Sequence, residues 1–90
     1  MNLSNNTKLI ELSCKFNQFT GLDVSNNLEL WYLDCRDDIF TFAALNALFE
    51  TLHDKTVTGK TKYIQISNNP GTDDCNLDIA TQKGWTVNAY

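Results

Sequence analysis

Apolar residues recur along this chain at fixed spacing. Leu9, Leu12, Cys14 and Phe19 are followed 21 residues later by Leu30, Leu33, Cys35 and Phe40. The two stretches share the form L-x-x-L-x-C-x-x-(N/D)-x-F, with Asn17 in the first and Asp38 in the second. Met1-Asn2-Leu3-Ser4-Asn5-Asn6 matches Leu22-Asp23-Val24-Ser25-Asn26-Asn27 at the same spacing, so the chain opens in the second half of a repeat. Ile64, Ile66 and Asn69 then take the places of Leu33, Cys35 and Asp38, but 31 residues on. Trp85 and Val87 follow Ile64 and Ile66 at 21 again. Side chains alternate along a strand, so each short motif sends two apolar residues inward. The pattern predicts four strands, Leu12–Cys14, Leu33–Cys35, Ile64–Ile66 and Trp85–Val87, and none has the central proline that would break a ladder.

The ten additional residues of the long interval coincide with a change of period. Phe42, Leu45, Leu48, Phe49 and Leu52 fall on one helical face, and Thr41 is suited to cap it. A helix over 42–53 is expected, followed by a polar loop, Lys55 to Thr61, with a turn near Gly59. Asn69-Pro70-Gly71 signals another turn. A second helix over 74–83 is expected from Thr72 or Asp73 as cap, Lys83 in the last turn and Gly84 beyond it. That helix would place Cys75 and Ile79 together against the core. Leu22-Asp23-Val24 is expected to run extended on the return.

The pattern over residues 9–27 resembles the leucine-rich repeats of bacterial cell-surface proteins, in the internalin-like, cysteine-bearing style. The stretches Ala44 to His53, Asn69 to Cys75 and Lys83 to Val87 look like the closing end of such an array in surface proteins of gut bacteria. The resemblance implies an α/β leucine-rich-repeat solenoid, with short parallel strands on the concave side and one or two helices on the convex side. It divides the chain into a partial repeat at 1–5, repeats at about 6–26, 27–57 and 58–78, and a closing strand at about 84–88. It also implies binding outside the cell or on its surface, and it carries no catalytic residues. No cap precedes the first repeat, which suits a piece of a longer array or an end that self-associates. The asparagine of the motif can both donate and accept across the turn, whereas ionised Asp38 only accepts.

Residues flanking the inward pairs face the concave side. They are Glu11, Ser13 and Lys15; Tyr32, Asp34 and Arg36; Tyr63, Gln65 and Ser67; and Gly84, Thr86 and Asn88. Tyrosine, charge and amide side by side suit a protein or glycan ligand; the plainer reading is a sheet face made polar for solubility. Trp31 is either an exposed rim contact or a packed shoulder. Cys14 and Cys35 stack in one column, as a buried cysteine ladder or, under strain, a disulfide.

Composition narrows the field. Ninety residues carry a net charge of −4, which disfavours nucleic acid and anionic lipid alike. No apolar run is long enough to span a bilayer, and the first residues do not read as a signal peptide. Three cysteines and one histidine support neither a disulfide framework nor a zinc site. The run Asp34-Cys35-Arg36-Asp37-Asp38 matches no calcium loop and reads as solvated turn charge. His53 is expected as a cation at a helix C-terminus. No nucleophile motif or phosphate loop is present. The expectation is therefore a non-enzymatic binding module without cofactor, engaging protein or glycan at the cell surface. The alternative is a purely structural end to a longer array.

Overall fold

A computed structural model describes residues 10–13 and 20–89; Lys15, Cys14 and Asn17 lie outside the described residues, so the cysteine column and the first asparagine of the ladder do as well. The chain is α/β. Its elements are β1 (Glu11–Ser13), β2 (Tyr32–Asp34), α1 (Phe42–Thr51), β3 (Tyr63–Gln65), α2 (Asp78–Thr81) and β4 (Thr86–Asn88). The strands form one four-stranded sheet in the order β1-β2-β3-β4. Each strand lies beside its neighbour in sequence, and every pairing is parallel.

The register turns the sequence repeat into geometry. Leu12 pairs with Leu33, and Leu33 with Ile64, at the expected spacings. The last step differs from expectation. Ile64 pairs with Val87 and Gln65 with Asn88, a step of 23 residues rather than 21. Val87 therefore occupies the Ile64 row, and Ala89, 6% exposed, follows in the row of Cys35 and Ile66. A two-residue shift leaves the inward face unchanged, because the strand period is two. Trp85 consequently sits one row ahead of the strand rather than within it.

Leu33, Cys35, Ile64 and Ile66 are fully buried beneath the sheet. Leu45, Leu48 and Phe49 of α1 and Leu52 beyond it close over them. Burial of side chains this size contributes about 2 kcal/mol each. Thr41 caps α1 by accepting from the Ala44 N–H at 3.2 Å. Phe42 departs from the expected apolar face and is 53% exposed. At the first turn of α1 the neighbour is backbone: a Cβ on Gly71 would run into Thr41 and Phe42, so only glycine admits this approach.

α1 ends at Thr51, two residues early, because Leu52 turns extended and His53 is drawn away. Two of the carbonyls this leaves, Phe49 and Glu50, accept from Lys83 Nζ at 3.1 and 2.6 Å. Lys83 thus closes α1, not the second helix where it was expected.

The second helix is much shorter than predicted. Turns run on from Pro70, and Asp74 and Cys75 both donate backbone N–H to Gly71 O. Asn76 then anchors to Asn46 Oδ1 at 2.7 Å and accepts from the Asp78 N–H, and only there does α2 begin. Cys75 lies in a turn, half-buried against the core, rather than on a helix. Gly84 has φ of +85°, as expected of the residue past a helix end. The predicted turn at Gly59 is present, closed by Lys60 N–H to Val57 O.

Candidate functional site: the open face of the sheet

Opposite the core the sheet presents two rows of side chains. The strand register sets them out as Glu11, Tyr32, Tyr63 and Thr86, then Ser13, Asp34, Gln65 and Asn88. Parallel strands lie about 4.8 Å apart, so neighbours within a row touch. The Tyr32 and Tyr63 rings stack, with centroids 6.1 Å apart and planes at 28°. Gln65 Nε2 donates to the Tyr32 hydroxyl at 2.6 Å. Asn88 Nδ2 reaches Gln65 Oε1 at 3.4 Å. The centre of the face is therefore an aromatic pair fixed from one side by an amide chain. Held rotamers cost less to order on binding than free ones.

Of the candidate residues, Glu11 and Ser13 are exposed, and Tyr32, Arg36, Tyr63, Gln65 and Ser67 are half-buried. Asp34 departs from expectation. It is 4% exposed, and its carboxylate accepts the Arg36 backbone N–H at 3.1 Å, Nε at 2.9 Å and Nη2 at 2.8 Å. A bidentate partner one row away covers it more completely than solvent would. The same hydrogen bonds raise the pKa of Arg36 further above its ordinary value. Asp34 is a support for Arg36, and Arg36 offers a positive charge on a face that also carries the exposed Glu11. Asp38, expected in a solvated turn, is also buried at 4% exposure. Thr86 and Asn88 belong to the face, but in the rows of Tyr63 and Gln65, because the last register differs.

The turn after β2 matches the turn after β3. Asp37 and Asn68 hold φ of 59° and 61°, and Asn68 Nδ2 donates to Asp37 Oδ1 at 2.9 Å. Both residue types tolerate the left-handed region. Beneath them Asn69 does what the motif requires: Nδ2 donates to Cys35 O at 2.8 Å and Ile66 O at 2.9 Å, and Oδ1 accepts from the Phe40 N–H at 3.2 Å.

At the other end of the strands the register aligns Ile10, Trp31, Lys62 and Trp85, one residue ahead of each strand. Their burial rises along the row, from 51% exposed at Ile10 to 6% at Lys62 and 2% at Trp85. Trp31 is half-buried, and its ring lies 4.8 Å from Lys60 Nζ and 6.1 Å from the Tyr32 ring. It forms one wall of a cleft of about 330 Å³ with Ile10, Leu28, Val57 and Lys60. Trp31 is thus a shoulder joining this cleft to the tyrosine pair. Sequence reasoning named Trp31 as rim or shoulder and placed Trp85 within the last strand; the steps along the row, 21, 31 and 23 residues, are those of the strands themselves.

His53 is not a cation on a helix terminus. It is 7% exposed, its Nε2 lies 2.7 Å from Leu30 O, and its Nδ1 accepts from the Lys55 N–H at 3.1 Å. A ring that accepts at Nδ1 and donates at Nε2 is neutral. Both nitrogens are committed to backbone, leaving none for a neighbouring hydroxyl or thiol. Among the described residues there is no group of three or more His, Cys, Asp or Glu side chains placed to hold a metal. Nor is any described helix long and apolar enough to cross a membrane.

Comparison with known proteins gives no match, whether to a family model, a curated protein or a solved structure.

Proposed function

We propose that this chain is a non-enzymatic binding module that engages a protein or glycan through the open face of its sheet. The observation that carries the proposal is the stacked Tyr32–Tyr63 pair, held by Gln65 at the centre of an otherwise polar face. A solubilising face needs no aromatic pair, whereas binding hot spots are rich in tyrosine and arginine. Arg36, fixed by Asp34, supplies a directed cation beside it. The finer architecture belongs to the same proposal. Repeated strands and αL turns, with Asp38 and Asn69 both buried at matched positions, support a leucine-rich-repeat solenoid, and with it a place on the cell surface or outside the cell.

The test is capture by the chain, immobilised, from arrays of glycans and of extracellular proteins, against a Tyr32→Ala/Tyr63→Ala double variant of unchanged circular dichroism. Loss of the captured species in the variant is expected. Retained capture removes the open face from consideration. A closing role is favoured by a separate observation: Trp85 and Ala89, on either side of the last strand, are themselves buried against the core. Under that reading, removal of residues 72–90 exposes Ile64 and Ile66 and causes aggregation, seen by light scattering.

A further inference from the structure

Lys62 is the least expected buried group in the molecule. Its side chain is among the core residues at 6% exposure. Nζ donates to Lys83 O at 2.7 Å and His53 O at 3.3 Å, and it lies 5.6 Å from the centre of the Trp85 ring. Two carbonyl oxygens satisfy two of its three N–H groups, and neither they nor the ring face neutralises the charge. No described carboxylate lies within ion-pair distance of it; the ion pairs found are Arg36–Asp34 and Lys55–Asp54. Burial accordingly pushes the ammonium below its ordinary pKa, with Asp54 opposing in part. A buried charge without a counter-ion is costly, and folds keep one where something else repays it.

The surroundings indicate what that is. Lys62 lines an open cleft of about 390 Å³ between the 54–62 segment and the Gln82–Gly84 turn. Lys60 and Lys83 line it too, against the single carboxylate of Asp54. Three of the chain's seven basic residues therefore border one cleft in a protein of net charge −4. Thr56, Thr61 and Gln82 add neutral hydrogen-bonding side chains. Gly84 lies against Lys62: a Cβ there would stand 3.4 Å from Cε and Nζ, in ordinary contact. Lys83 Nζ is occupied at the end of α1 and Lys60 Nζ at Trp31, so those two contribute field and Lys62 contributes the contact.

We propose that this cleft binds a compact oxyanion, a carboxylate, sulfate or phosphate group carried by a ligand, with Lys62 Nζ donating its third N–H to it. The bound anion supplies the counter-charge that the fold itself omits. This cleft is distinct from the tyrosine face, so each proposal stands or falls separately.

The test is a ¹⁵N NMR titration of the chain with sodium sulfate, sodium phosphate and sodium acetate, each against sodium chloride at matched ionic strength. Saturable shifts of the Thr61, Lys62 and Gly84 amides are expected, with chloride giving none. Saturation by the tetrahedral ions alone assigns a sulfate or phosphate group, and by acetate alone a carboxylate. Lys62→Met, which keeps the buried stem, is expected to weaken the interaction about tenfold, as loss of one charged hydrogen bond does. In the unaltered chain the Lys62 ¹⁵Nζ resonance is expected to move with the amides, a readout that does not depend on the variant folding. A stationary ¹⁵Nζ signal, shifts reproduced by chloride, or equal affinity in a folded Lys62→Met chain overturns the proposal.

Discussion

The two ends of the sheet are fastened by opposite means. Where the strands finish, the fastening repeats: Asp37 and Asn68 adopt the same backbone at matched positions, and Asn69 bridges the strands from a place the motif reserves for asparagine. Where the strands start, only backbone bonds repeat, with Tyr32 N–H on Ile10 O, Tyr63 N–H on Trp31 O and Thr86 N–H on Lys62 O; the side-chain fastening is single. His53 Nε2 meets Leu30 O, while the His53 carbonyl takes both Trp85 Nε1 at 2.9 Å and Lys62 Nζ. One residue beyond α1 thus gathers the approaches to β2, β3 and β4. A repeated fastening works between neighbouring strands of matched spacing. A single fastening marks where the spacing departs from 21 residues, here at the stretch that forms α1, and its cost is a buried ammonium.

Four variants test that contrast. The largest effect is expected from Asn69→Ala, which strands the Phe40 N–H in the core and takes a donor from the Cys35 and Ile66 carbonyls. A buried orphaned N–H together with these lost bonds costs about 3 kcal/mol, measurable by urea denaturation. His53→Ala should cost about 2 kcal/mol, because it frees Leu30 O while Lys55 N–H can reach water. If His53→Ala proved the more damaging, the leading end would be the true anchor of the fold. Tyr32→Ala with Tyr63→Ala should cost only about 1 kcal/mol, the scale of an aromatic pair, while removing ligand capture. A larger loss would make the pair structural rather than functional.

The smallest effect near neutral pH is expected from Lys62→Met, within about 1 kcal/mol, since replacing a buried charge by a hydrophobe is often neutral. Its signature is pH dependence. The folded-state pKa of Lys62 lies below the ordinary 10.5, so between those two values the unfolded chain holds the proton more tightly. Stability from this group therefore rises as pH increases toward 10.5, and Lys62→Met removes that rise. Melting temperatures of both chains across that window decide it; parallel curves would show that Lys62 is not held as described.

Much of the fold was legible from recurrence. Leu12, Leu33 and Ile64 announced three neighbouring parallel strands at their true register. Thr41 with Leu45, Leu48 and Phe49 announced the long helix. The fourth strand was found but misaligned by two residues, because Trp85 imitates an inward strand residue while actually filling the row ahead. The second helix was overextended because Asp73, Asp74 and Lys83 have the composition of helix ends. Their roles are set by Gly71, Asn46 and the end of α1, which no local pattern reports. Tyr32 and Tyr63 were placed together by spacing alone. The burial of Asp34 and Asp38 was not foreseen, since charge in a short sequence window does not reveal whether a partner covers it.

The sequence by itself determined which residues face inward and which strands are neighbours, because alternation and repeat length are local and periodic. Only the tertiary structure decided that His53 is a neutral linker, that Lys83 closes a helix more than thirty residues away, and that Lys62 is buried without a counter-ion. Those roles depend on contacts between segments with no shared pattern, and hydrogen bonding in three dimensions leaves no period to read.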